Sequence, residues 1–229
     1  MTPREQFLQR VRQAVAAGND AAHSGGAPAG APPLPERKRL EPGRTASLDR
    51  FCAELTSAGG KGHIAADRDG LCRTMHGIIR SHDARKILLS RGGVVERLDV
   101  SAWLRERGLE VTTTDSLARA DPRVDLFAAE IGISNVHCLI AETGTVVMSS
   151  RPNEPRSVSL LPPVHIALAD RSQLLPDLYD LFDLFSPLSS DIPSCLTLIT
   201  GPSKTGDIEL KLVTGVHGPG EIHVIVCDW

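Results

Sequence analysis

Aromatic side chains are scarce: two Trp, one Tyr and five Phe in 229 residues. A core must therefore be built from Leu, Ile, Val and Ala, and a pocket has few rings on which a flat nucleobase could stack. Charge of one sign is not in excess either, since 25 Lys and Arg against 28 Asp and Glu leave a formal charge of -3. That balance offers no footprint for nucleic acid or an anionic membrane. No window approaches the roughly 18 apolar residues of a membrane span. The charge-mixed start MTPREQFLQRVRQAVAAG lacks the continuous apolar stretch of a secretory signal. The expected address is the cytoplasm. The five cysteines (Cys52, Cys72, Cys138, Cys195 and Cys227) contain no C-x-x-C pair. Their spacing excludes the local runs that hold zinc ribbons or iron–sulfur clusters, and an odd count without a signal argues against a disulfide framework.

Glycine and proline, by contrast, are plentiful, at 20 and 16 residues, and they punctuate the chain. Phe7, Leu8, Val11, Ala14 and Val15 form one stripe at helical spacing, which predicts an amphipathic helix over residues 1–17 that ends at Gly18. Ten Gly and Pro residues fall between Gly18 and Gly43, so residues 18–44 read as a linker with little to bury. From residue 45 to 229 helical and strand-like segments alternate. LDRFCAELTSAG, DGLCRTMHGIIRSH and VERLDVSAWLRERG have helical spacing, and GHIAA, Ile87–Leu89 and LEVTTT read as strands. Further helices are expected at Asp125–Ile131 and near Gln173–Phe185, and further strands at HCLIAET, GTVVMSS, PPVHIALAD, CLTLIT and EIHVIVCD. This rhythm predicts a three-layer α/β/α domain around a mostly parallel sheet.

Three segments could carry chemistry. The first, Glu142-Thr143-Gly144-Thr145, places a carboxylate and two hydroxyls around a glycine at a strand end. The second, Gly201-Pro202-Ser203-Lys204-Thr205-Gly206-Asp207-Ile208-Glu209, reads as a strand running into a Gly-rich loop dense in polar groups. It is not a nucleotide phosphate loop, because Asp207 and Ile208 stand where Lys and Ser or Thr are required. Its backbone N–H groups and Lys204 nevertheless suit an anion. The third, Gly215-Val216-His217-Gly218-Pro219-Gly220, frames an accessible histidine suited to proton transfer. Each segment also has a plain reading as a turn with solvated side chains. Elsewhere, His165 and His223 lie in apolar runs and read as core histidines. No histidine pair has the spacing of ligands on one helix face, so no metal site is expected.

Taken together, AETGTVV, GPSKTGDIE and GVHGPGEIHVIV resemble the signature segments of the LUD domain of the lactate-utilisation protein C family. The likeness covers essentially the whole chain and departs at Gly206, where relatives carry Ala. The resemblance implies a fold similar to the sugar-isomerase and coenzyme A-transferase-like (NagB/RpiA) group. It also implies a role in oxidising L-lactate to pyruvate beside companion proteins that carry the iron–sulfur clusters. On this reading the chain is a cluster-free subunit, with no cofactor motif of its own, that binds a small anion or a companion's cofactor. Glu142 and His217 would handle protons. Thr143, Gly144, Thr145, Gly201, Pro202, Ser203, Lys204, Thr205, Gly215 and Gly218 would line the pocket, and Asp207 and Glu209 would orient Lys204 or cap the following segment. The alternative is a free-standing isomerase or acyl-transferase using Glu142 as base or nucleophile.

Overall fold

The computed structural model describes residues 2–23, 47–115, 122–151, 154–184, 193–208 and 211–229. The chain divides into two units, Met1–Pro42 and Gly43–Trp229. In the first, helix α1 spans Pro3–His23. Thr2 and Glu5 start it reciprocally: the Glu5 N–H donates to Thr2 Oγ1 and the Thr2 nitrogen donates to Glu5 Oε2, a capping box. The helix overruns its expected end at Gly18. A helical glycine costs only about 1 kcal/mol relative to alanine, and no proline follows before Pro28 to force a stop. The expected linker lies mostly outside the described residues.

In the second unit, α2 (Leu48–Ser57) begins at Ser47, whose hydroxyl accepts from the Arg50 N–H, and buries Leu48, Phe51 and Leu55 along one stripe. Strand β1 (Lys61–Ala65) leads into α3 (Arg68–Ser81), which is capped by Asp67 and buries Leu71, Met75, Ile78 and Ile79. Then come β2 (Lys86–Leu89), α4 (Gly93–Arg97), α5 (Val100–Arg105), β3 (Glu110–Thr113), α6 (Pro122–Ala128) and β4 (Ile131–Asn135). Next are β5 (Cys138–Ile140), β6 (Thr145–Ser149), α7 (Ser157–Leu160), β7 (Val164–Asp170), a 3-10 turn (Arg171–Gln173) and β8 (Leu174–Leu175). The chain ends with α8 (Leu178–Leu184), β9 (Leu196–Ile199), the β10–β11 hairpin (Lys204–Ile208, Lys211–Thr214) and β12 (Glu221–Cys227).

Six strands form an all-parallel sheet in the order β1-β12-β7-β4-β2-β3. Parallel sheets need cover on both faces, and the central strands VHIALAD and EIHVIVC are accordingly buried almost throughout. On one face, Ile133, Ile166, Leu168 and Ile225 pack with α3, α4 and α5. On the other, Ala167, Ala169, Val224 and Val226 meet α2 and the inner residues of a second sheet, ordered β8-β5-β6-β9. The three-layer, mostly parallel α/β architecture is thus present, with a second sheet sharing one outer layer. Helix α8 covers that sheet's far side through Leu181.

Three expectations need correcting. Ile131 opens β4 and is not the end of a helix: Ile131 and Ile133 alternate with Gly132 and Ser134, the period of a strand. Gln173–Phe185 is not one helix, because Pro176 cannot continue one, and the stretch resolves into the 3-10 turn, β8 and α8. Lys204 and Thr205 are residues of β10, paired with Thr214 and Val213, and do not belong to a free loop.

Candidate functional site

Strand order reverses between β2 and β4. From β2 the chain winds to one edge through β3, and from β4 it winds the other way through β7 and β12. Crevices in such sheets open outside the carboxyl ends of the strands at the switch point. A cleft of about 690 Å³ lies there, lined by Arg91, Gly92, Gly93, Asn135, Ser150, Arg151, Glu154, Asp170 and Gln173 among others. Its size falls within the range of small-molecule sites.

Each wall has a local cause. After β2 the chain turns through Gly92 and Gly93, both at positive φ. A Cβ on Gly93 would lie 2.7 Å from Asn135 Oδ1, so glycine there lets the amide come close. Asn135, buried at the end of β4, accepts from the Val95 N–H and donates to Ser90 Oγ and the Arg91 carbonyl. One amide thereby ties the β2–α4 turn to β4. Arg91 is held by Glu96 and Asp115, each at 2.8 Å, and these two hydrogen bonds raise its pKa further. Gln173 donates to the Val136 carbonyl and accepts from the Asp170 N–H, which closes the floor between β4 and β7.

The remaining wall comes from Arg151 and Glu154 beyond β6, which exchange backbone hydrogen bonds. Burial pushes the half-buried Glu154 carboxyl above its ordinary pKa, opposed by a hydrogen bond from Asn135 and the charge of Arg151. Burial also lowers the nearby His137, with Arg151 adding to the effect. A carboxyl of raised pKa beside a guanidinium can exchange a proton with a ligand whose negative charge the guanidinium holds.

The residues singled out in the sequence lie mostly elsewhere. Thr145 Oγ1 meets Thr143 Oγ1 at 2.6 Å and Thr200 Oγ1 at 2.7 Å, so the first two segments are neighbours. Both rest on the end of α2. Gly144 has a φ of +63°, and a Cβ there would lie 2.2 Å from the Leu55 nitrogen. Lys204 Nζ donates to the Ala58 carbonyl at 2.6 Å, a cation satisfying a helix C-terminus. The second and third segments also meet: the Ser203 N–H donates to the Pro219 carbonyl and the Gly215 N–H to the Ser203 carbonyl.

Gly201, Pro202, Ser203, His217 and Gly218 line a second pocket of about 220 Å³ at the amino ends of β7 and β12. Fully buried His165 also lines it. Its Nε2 bonds Ser134 Oγ at 2.8 Å, its Nδ1 has no partner among the described residues, and burial holds its pKa down at about 4. Glu142, half-buried on the β5–β6 turn with its N–H donating to the Pro176 carbonyl, lines neither cavity. Thr205 pairs in the hairpin, Glu209 lies outside the described residues and the Asp207 side chain is not described.

Sequence reading missed Asn135, Arg151 and Glu154, which come from separate segments and meet only through topology. One local signal was available: Gly92-Gly93 directly after the apolar run Ile87–Leu89, the pattern of a chain turning tightly at a strand's carboxyl end.

The parallel sheet with its strand reversal and polar switch-point cleft defines the class of doubly wound α/β domains. Within that class, the chain belongs to the LUD-domain family, whose model matches residues 48–227. It is 40% identical over 96 residues to an uncharacterized protein of Neisseria meningitidis, covering 42% of this chain and 41% of that one. It is 31% identical over 163 residues to Lactate utilization protein C of Halalkalibacterium halodurans, covering 70% of each. The Bacillus licheniformis protein of the same name is 41% identical over 129 residues, 55% of this chain and 53% of that one. The match thus spans between 41% and 70% of these relatives' lengths. Among solved structures, a DUF162 family protein from Deinococcus radiodurans shares the fold, with a TM-score of 0.55 at 21% identity over 79% of this chain and 95% of that one.

Proposed function

We propose that this chain takes part in lactate utilisation, holding a small carboxylate such as L-lactate or pyruvate in the switch-point cleft beside partner proteins that carry the electron-accepting iron–sulfur clusters. The observation that carries this reading is the pairing of Arg151 with the raised-pKa carboxyl of Glu154 in one cleft. The names of the relatives from Halalkalibacterium halodurans and Bacillus licheniformis supply the substrate.

A guanidinium binds a carboxylate through two parallel N–H donors, which assigns Arg151 to the acid group of the ligand. Oxidising the α-hydroxyl removes two electrons and two protons: Glu154 takes the hydroxyl proton, and the Cα–H bond breaks with its hydrogen and electron pair leaving to a two-electron acceptor on the partners. Burial keeps two of this chain's thiols protonated, with Cys138 pushed up to about 12 and Cys227 up to about 11, as unreactive core side chains. Among the described residues, no helix is long and apolar enough to cross a membrane, and the proposed setting is the cytoplasm.

Deleting the gene and scoring growth on L-lactate tests the role. Loss of growth is expected, restored by the native gene and by Lys204→Ala but not by Glu154→Gln. Normal growth of the deletion strain, in the absence of a paralogue, would sink the proposal.

A further inference from the structure

On the α3 side of the sheet, far from the cleft, the amino ends of β1 and β12 gather a second set of ionisable groups. Glu221 opens β12 and His223 follows two residues later, so both project to one face. Lys61 is the register partner of His223 on β1, and His63 lies two residues on, on that same face. His82, which ends α3, completes the set.

One donor atom from each of His82, Glu221 and His223 lies within 4.8 Å of the others. His223 Nε2 is 2.7 Å from Glu221 Oε1, and His82 Nε2 is 3.4 Å from that same oxygen. His63 stacks on His223, with its Nε2 3.0 Å from His223 Nδ1. We propose that His82, Glu221 and His223 form a binding site for a divalent first-row transition-metal ion of the zinc type, with its remaining position open to water.

Two imidazoles and a carboxylate are the donor set of such sites. Bonds of about 2.0–2.1 Å to a tetrahedral ion place donors about 3.3 Å apart, against the 2.7 and 3.4 Å that separate the Glu221 oxygen from the two imidazoles. The second ring nitrogen is provided for as well. When Nδ1 of His223 carries the proton and donates it to His63 Nε2, the Nε2 lone pair is left for the ion, the arrangement that orients ligating histidines. Without an ion, Nε2–H donates to Glu221 instead, so loading exchanges one tautomer for the other.

Lys61 competes for the site. Its ammonium bonds the same Oε1 of Glu221 and is half exposed, so an entering ion sends it into water. The local spacing that ordinarily betrays a metal site is absent, because the ligands come from a helix end and a strand separated by most of the domain.

The test uses the full chain stripped with a chelator, then titrated with ZnCl2 by calorimetry and with CoCl2 by visible absorption. One Zn2+ per chain is expected, together with ligand-field bands from Co2+. His82→Ala removes a surface side chain and should weaken binding roughly 100-fold. Lys61→Met should tighten it about threefold by removing the competing charge. Absent Zn2+ binding, affinity unchanged in both His82→Ala and Glu221→Gln, or a thiolate charge-transfer band in the Co2+ spectrum would each overturn the assignment.

Discussion

The two ends of the parallel sheet use the same residue types for different purposes. At the amino end, glycine at position 144 brings the β5–β6 turn onto the backbone of α2, and Lys204 caps that helix. At the carboxyl end, glycine at position 93 admits the side chain of Asn135, and the tie it forms borders an open cleft. Both ends use glycine for close approach. What comes close is a helix backbone in one case and a cleft-lining amide in the other. A glycine-rich polar segment therefore shows that something approaches the chain without showing whether that is protein or ligand.

The largest effect that sharpens this contrast is expected at Gly144. Gly144→Ala combines a left-handed backbone with a Cβ 2.2 Å from the Leu55 nitrogen, and should destabilise by about 3 kcal/mol or more. The midpoint of urea unfolding reads this directly, and a shift under about 1 kcal/mol would mean that the turn does not bear on α2 as described.

Acid probes the buried seam between the ends. With a folded pKa of about 4 against about 6.5 unfolded, His165 binds a proton only in the unfolded chain between those values. Stability should therefore fall as pH drops from about 6.5 toward 4, by roughly 3 kcal/mol from this residue. His165→Asn should flatten that part of the profile, and an unaltered slope would assign the acid sensitivity to other groups.

The smallest effect belongs to Lys204. It is exposed, and Lys204→Met should cost only about 0.5–1 kcal/mol through the lost helix cap while leaving growth on lactate intact. A lactate-growth defect in a fully folded Lys204→Met chain would move the functional site to the amino end.

How much was legible beforehand follows the same division. The β–α rhythm and the strands PPVHIALAD and EIHVIVCD could be read because doubly buried parallel strands are continuous apolar runs. Strand β4 was hidden because Ile-Gly-Ile-Ser-Asn is short and half polar, and because its polar residues serve the interior: Ser134 bonds His165, and Asn135 ties down the turn at Gly93. The division of strands between two sheets was invisible, since HCLIAET and GTVVMSS look alike whichever sheet they join. The LUD signature segments identified the family correctly. The switch-point cleft, however, draws Arg151 and Glu154 from outside those segments, and the cluster at His82 and Glu221 joins residues that no spacing rule connects.

The central claim is that the switch-point cleft holds the small carboxylate. Titrating the isotope-labelled chain with L-lactate while recording amide NMR shifts tests this most directly. Shifts are expected to cluster at Gly92, Gly93, Asn135, Ser150, Arg151 and Glu154 and to disappear in Arg151→Ala. Shifts confined to residues 201–205 and 215–218, with binding retained in Arg151→Ala, would contradict that claim.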